Sequence, residues 1–112
     1  MLIYKIFRAH EWDHLQAAGE TAGAPIDLAD GFIHFSTAEQ LRETARRHFG
    51  GADDLVLAAI DTARLPEALK WEKSRGGADF PHLYAPLPLA AVSWARPLAL
   101  VDGAHVFPEE IP

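Results

Sequence analysis

Three short stretches hold the side chains that could do chemistry: Phe32-Ile33-His34-Phe35-Ser36, Trp71-Glu72-Lys73-Ser74 and Phe80-Pro81-His82-Leu83-Tyr84. In the first, strand alternation puts Phe32, His34 and Ser36 on one face and turns Ile33 and Phe35 toward a core. Asp30-Gly31 ahead of it is a turn signal. Behind it, Ser36 or Thr37 can cap a helix, because each is followed three residues later by a side chain able to reach back, Glu39 or Gln40. A histidine and a hydroxyl two residues apart, beside the exposed N–H groups of a helix start, make a place for an anion or a polarised carbonyl. The competing reading of His34 is a hydrogen-bonded strand residue with a structural role. In the other two stretches, an extended chain sets Trp71 and Lys73 opposite Glu72 and Ser74, and gathers Phe80, His82 and Tyr84 on one face.

His10-Glu11-Trp12-Asp13-His14 fits H-E-x-x-H, in which two histidines one helical turn apart bind zinc and the glutamate acts as base. The first histidine falls at the helix entry, and the longer metalloprotease pattern wants glycine at Ala17 and histidine at Glu20. A zinc hydrolase is therefore the weakest of the functional readings, and no metal site is expected. There is no G-x-G-x-x-G and no G-x-x-x-x-G-K, so Gly76-Gly77 reads as a turn rather than a phosphate cradle. Aromatic and basic residues alternate from Lys70 to Arg75, a composition that can stack a base beside a phosphate.

The 112 residues fit one domain, with a core from about residue 2 to residue 101. At 49% hydrophobic and 23% charged the composition is that of a globular chain. A formal charge of −6 argues against generic nucleic-acid binding, which depends on phosphate neutralisation by Lys and Arg. Without cysteine there is no disulfide or thiolate chemistry, which fits the cytoplasm. No run is long enough for a signal sequence or a membrane span. Nothing in the chain fixes an oligomeric state.

The elements that must position these stretches are legible in part. Leu2 to Phe7 and Leu55 to Ile60 are continuous apolar runs of strand length and should form buried central strands of a mixed sheet. Glu11 to Ala18 reads as a short helix with Trp12 and Leu15 on one side, and the segment from there to Asp30 as a loop. Ala38 to Phe49 should be the longest helix, burying Leu41, Ala45, His48 and Phe49 and leaving Arg42 and Arg46 to solvent. Pro81, Pro86 and Pro88 demote Phe80 to Tyr84 to an edge or irregular strand. Val92 to Pro97 and Leu98 to Val101 read as two strands, ahead of an Asp102-Gly103 hairpin turn and a fraying tail.

Asp30-Gly31-Phe32-Ile33-His34-Phe35-Ser36-Thr37, Trp71-Glu72-Lys73-Ser74-Arg75-Gly76-Gly77 and Phe80 to Tyr84, in that order, resemble the bacterial family known as domain of unknown function 952. That family in turn resembles the ADP-ribosyltransferase fold, an α+β domain whose bent, split sheet surrounds a cleft for NAD. Within it, Phe32 to Ser36 and Leu55 to Asp61 are most similar to the RNA 2′-phosphotransferases. The resemblance implies a small nucleotide as partner and NAD as cofactor. It implies catalytic roles for His34, Glu72 and His82, and cofactor contacts from Tyr4, Lys5, Ser36, Thr37, Trp71, Ser74, Arg75 and Tyr84, with Arg8 a further phosphate neutraliser. Tyr4 and Lys5 stand where such enzymes carry histidine or arginine, and His82 where they often carry glutamate. The expected function is nucleotide binding, with transferase activity or a non-enzymatic binding module as the two outcomes.

Overall fold

The structure, a computed structural model, describes residues 1–74 and 76–111. Its frame is the antiparallel pair of β1 (Leu2–Arg8) and β4 (Leu55–Asp61), in register from Leu2 opposite Asp61 to Arg8 opposite Leu55. Both strands are buried on two faces, which is why their sequences are apolar without alternation. Ile3, Phe7, Ala58 and Ile60 face one core, shared with Leu15 of α1 (Ala9–Ala18) and with Ile33, Phe35, Leu83 and Leu87. Tyr4, Ile6, Leu55, Leu57 and Ala59 face the other, shared with Leu41 and Ala45 of the longest helix. A third strand, Val92–Val101, pairs with β4, and Ala104–Val106 pairs with its far end across a turn in which Asp102 and Gly103 both take positive φ.

In chain order the remaining elements are β2 (Glu20–Thr21), α2 (Pro25–Asp30), β3 (Ile33–His34), α3 (Ala38–His48), β5 (Lys70–Lys73), β6 (Asp79–Leu83), β7 (Leu87–Pro88), β8 (Val92–Val101) and β9 (Ala104–Val106). β3, β6 and β5 form a second sheet in that order, and β2 pairs with β7. Among the described residues the two larger sheets are bridged where Tyr4 and Ser36 exchange backbone hydrogen bonds of 2.8 and 2.9 Å. The result is an α+β domain with a bent, divided sheet in which every described strand pair is antiparallel, so the mixed sheet expected from the sequence is corrected. No helix among the described residues is long and apolar enough to cross a membrane.

Several expectations are revised for physical reasons. Pro81 does not push β6 to an edge; the strand lies between β3 and β5. The Pro81 carbonyl accepts from Phe35 N at 3.1 Å, so its imide nitrogen faces the β3 side, where it cannot return a bond to Phe35 and β3 ends, while pairing with β5 is untouched. Val92 to Val101 is one strand, and Pro97 sits beyond the reach of β9, which covers only Ala99–Val101. His48 is exposed, leaving Leu41 and Ala45 as the fully buried residues of α3. The tail does not fray: Ile111 is buried in the second core beside Phe107.

The largest revision is α2, in a stretch expected to be loop. Pro25 opens it with a pre-set φ, the Asp27 carboxylate reaches back to accept from Ala24 N at 2.8 Å, and Gly31 closes it in the left-handed region at φ 84°. Gly23 is the tight point of this corner. It has φ 111°, and a Cβ there would stand 2.5 Å from both Cβ and Oδ2 of Asp27. Gly23→Ala is expected to lower unfolding free energy by about 2 kcal/mol or more in a denaturant titration, through combined strain and overlap. Gly76→Ala, with open space and no positive φ, should match the wild type.

Candidate functional site

β3 pairs with β6 so that His34 lies opposite His82 and Ile33 opposite Leu83; β5 pairs with β6 so that Lys70 lies opposite His82 and Glu72 opposite Phe80. Directly opposed residues share a face, so His34, His82, Lys70, Glu72 and Phe80 project to one side while Ile33, Leu83 and Pro81 pack into the core. Phe32, brought round by the Gly31 turn, stacks on the His82 ring with centroids 4.1 Å apart and an interplanar angle of 28°. It also meets His34 at 4.6 Å and Tyr84 at 5.1 Å, while the two histidine rings meet edge-on at 5.2 Å.

Each histidine is held by carboxylates. His82 Nδ1 donates to Glu72 Oε1 at 2.8 Å, and the Tyr84 hydroxyl donates to the same oxygen at 2.7 Å. The His82 and Tyr84 hydrogen bonds hold the Glu72 carboxyl below its usual range, and the Glu72 hydrogen bond raises the Tyr84 phenol. His34 Nδ1 lies 2.5 Å from Asp27 Oδ1 and His34 Nε2 lies 2.9 Å from Asp30 Oδ2. Ionised carboxylates only accept, so both contacts are satisfied together when the His34 ring carries both protons.

Behind this face lies a second layer. Lys5 projects from β1 between Ile3 and Phe7 with its ammonium buried, 3.0 Å from Asp27 Oδ2 and donating to the His34 carbonyl at 3.0 Å. The fully buried Asp27 carboxylate therefore receives Lys5 Nζ, Ala24 N, His34 N and His34 Nδ1. Burial pushes the Asp27 carboxyl up, but the His34 hydrogen bond and the charge and hydrogen bond of Lys5 outweigh it and hold it at about 2. Beside the cluster a shallow pocket of about 220 Å³ is lined by Leu28, Gly31, Phe32, Tyr84, Ala85 and Pro86, among others. Lys70 places its ammonium 4.5 Å from the Tyr84 ring centroid, on the cation-attracting face of the phenol.

Of the residues singled out in the sequence, His34, Glu72, His82 and Tyr84 come together, and Lys5 supports them from behind through Asp27. The others sit elsewhere. Tyr4 is buried in the second core near Trp94, with ring centroids 6.1 Å apart. The Ser36 hydroxyl bonds Thr44 of α3 at 2.8 Å, and Thr37, not Ser36, caps that helix in a reciprocal pair with Gln40. Trp71 lies opposite Pro81, so it shares the other face, and the Ser74 backbone closes a turn with Ala78 and Gly77. Arg75 lies outside the described residues. Arg8 places its guanidinium over Phe49, 5.0 Å from the centroid, at the far end of β1. His10 and His14 are exposed on α1, and the described residues contain no group of three His, Asp or Glu able to hold a metal. Sequence reasoning missed Asp27, took Asp30 only as a turn residue, and gave Phe32 no role. A lysine within the apolar run Leu2 to Phe7 was the available signal, since it must find a buried partner.

Because the folded Asp27 value of about 2 lies below the ordinary 3.8, its contribution to stability is complete above pH 3.8 and disappears as pH falls through about 2. Asp27→Asn removes that acid limb and leaves Lys5 without its counter-charge. Urea titrations at neutral pH are expected to show a loss of about 3 kcal/mol, the usual result of breaking one half of a buried pair. The variant's stability should also fall less steeply than the wild type's between pH 3.8 and about 2.

Comparison with known proteins places this cluster in context. The pattern of a family described as "Protein of unknown function (DUF952)" matches residues 6–95. The crystal structure of protein CC0527 from Caulobacter crescentus is similar at 50% identity, with a TM-score of 0.88 over 95% of this chain and 94% of that one. The solution NMR structure of CC0527 is similar with a TM-score of 0.81, over 93% and 90% of the two chains. No curated protein matches. Everything from Asp27 to Tyr84 falls inside the matched residues, and the chain belongs to the DUF952 family, whose function is unknown.

Proposed function

We infer that the domain binds NAD or a related nucleotide by its base and ribose end, on the face made by Phe32, Tyr84, Asp30 and Glu72. One observation carries this reading: two partly exposed aromatic rings 5.1 Å apart flank a pocket with carboxylates beside them, and a cation already rests on the Tyr84 face. Flat rings stack on such a wall, and carboxylates accept from ribose hydroxyls or an exocyclic amide. At about 220 Å³ the pocket suits one end of a dinucleotide rather than the whole. Carboxylates on the neighbours of these rings, Glu72 on the Tyr84 hydroxyl and Asp30 on His34, also favour the positively charged ring of oxidised nicotinamide over a phosphate.

The ADP-ribosyltransferase reading is supported by the way the sheet divides at the Tyr4–Ser36 bridge, with the cluster on the β3-β6-β5 half. Carboxylates at Asp30 and Glu72 suit the positive charge that builds on ribose as a bond to nicotinamide breaks. The likeness to RNA 2′-phosphotransferases receives less support, since Lys5 is neutralised by Asp27 and Arg8 lies far off. Binding without turnover is favoured over acid–base catalysis by the state of the histidines. Both nitrogens of His34 are engaged, and His82 is buried under Phe32.

Titration calorimetry with NAD, nicotinamide mononucleotide and ADP-ribose tests the reading. Phe32→Ala and Tyr84→Ala are each expected to weaken binding about tenfold or more, the loss typical of removing a stacked ring. Glu72→Gln should weaken it by about 1 to 3 kcal/mol, while Ser36→Ala and Ser74→Ala leave it unchanged. No binding of any of the three, or full affinity in both ring variants, overturns it. Release of free nicotinamide from NAD separates a transferase from a binding module.

A further inference from the structure

We propose that His34 is a proton-operated latch that fastens the Asp30–Phe32 turn, and with it one wall of the pocket, to the sheet. Its two ring nitrogens reach the two carboxylates of α2, Asp27 at 2.5 Å and Asp30 at 2.9 Å. The partners are unequal. Asp27 is fully buried and fixed by Lys5 and two backbone amides as well, whereas Asp30 has 45% of its side chain exposed and its contact to His34 is the one ion pair it makes among the described residues. When His34 gives up a proton, the nitrogen that keeps its hydrogen is the one facing Asp27, because stripping a donor from a buried carboxylate costs more than stripping one from a hydrated carboxylate. Nε2 then turns a lone pair toward the Asp30 carboxylate, and the contact becomes repulsive. Asp30 moves out to water.

The mechanical consequence follows from the chain. Asp30 is the last residue of α2, Gly31 is its left-handed cap with its amide on the Asp27 carbonyl at 2.9 Å, and Phe32 comes next, stacked on His82 and lining the pocket with Gly31 and Leu28. Release of Asp30 therefore frees the segment that carries the aromatic wall. The other charged or titratable groups around His34 are Lys5 from β1, held on Asp27 and the His34 carbonyl; His82 from β6, edge-on at 5.2 Å; and Glu72 and Lys70 from β5, engaged with His82 and Tyr84 and with the Tyr84 ring. Asp30 is the one carboxylate among the described residues paired with Nε2, so its contact changes with the proton there. The pocket is thus closed while the His34 ring carries both protons and loosened once Nε2 has lost its own.

As a statement about ligand access this rests on the pocket being the nucleotide site, but the latch itself is read in the ligand-free protein. Amide hydrogen exchange of Gly31, measured by NMR from about pH 5 to about pH 8 and corrected for base-catalysed exchange, is expected to lose protection about twofold to fivefold, the worth of an ion pair with an exposed partner. Asp30→Asn, whose side chain can accept from a protonated ring or donate to a neutral one, should abolish the dependence at near wild-type protection. Asp30→Ala should show low protection at every pH. A flat wild-type profile sinks the latch and leaves the nucleotide reading standing. An unchanged slope in Asp30→Asn also sinks it, and assigns the sensing to the His82–Glu72 pair.

Discussion

The arrangement of this domain depends on one buried ion pair. Lys5 lies in the middle of a strand whose other inward residues on that face, Ile3 and Phe7, are core. An ammonium there is tolerable only with a carboxylate and further hydrogen-bond acceptors in contact, because an unpaired charge loses far more hydration than packing returns. Asp27 meets that need, and in doing so it joins three parts of the chain. Its oxygens take donors from β1, from the residue ahead of α2, and from both backbone and ring of β3. No buried side-chain nitrogen or oxygen among the described residues lacks a hydrogen-bond partner, so the network is complete as it stands.

Completeness of this inner layer lets the outer layer stay polar. His34 is oriented from behind by Asp27, and its backbone carbonyl is occupied by Lys5, so its ring has little rotational freedom. His82 is set in the same way by Glu72, with Phe32 against its face. Two imidazoles and a phenol are therefore ordered by hydrogen bonds at their edges, and the Phe32 phenyl by stacking on His82. A preordered aromatic wall binds a flat ligand without first losing side-chain entropy.

How far the sequence discloses this can be judged residue by residue. β1, β4 and α3 are legible because they satisfy simple rules: apolar runs of strand length, and a helix opened by the Thr37–Gln40 pair with Leu41 and Ala45 one turn apart. The meeting of His34, Glu72, His82 and Tyr84 is partly legible, since alternation fixes which residues of a strand share a face. What alternation cannot fix is pairing register. Trp71 and Glu72 are both plausible site residues until Glu72 is seen opposite Phe80 and Trp71 opposite Pro81. Ser36 commits its hydroxyl to a pair with Thr44, a local demand that competes with any function for the same side chain, while Ser74 lends its backbone to a tight turn.

The failure at α2 is the instructive one, because the signals were present and too short to register. Pro25 at the first helical position, Asp27 two residues on and Gly31 just past the end are start and stop signals in their proper places. A six-residue helix, however, shows less than two turns of periodicity, and its apolar residues Ile26 and Leu28 point outward. Its stability cannot come from an amphipathic stripe. It comes instead from the single inward side chain, Asp27, and thus from a lysine twenty-two residues earlier in the chain. Local pattern and tertiary charge pairing are separate sources of structure, and where the second dominates, a window of sequence around the element does not contain its cause. The same dependence puts the pocket wall under electrostatic rather than hydrophobic control, since the turn that carries Phe32 is anchored by carboxylates at both ends of the Asp27–Asp30 interval.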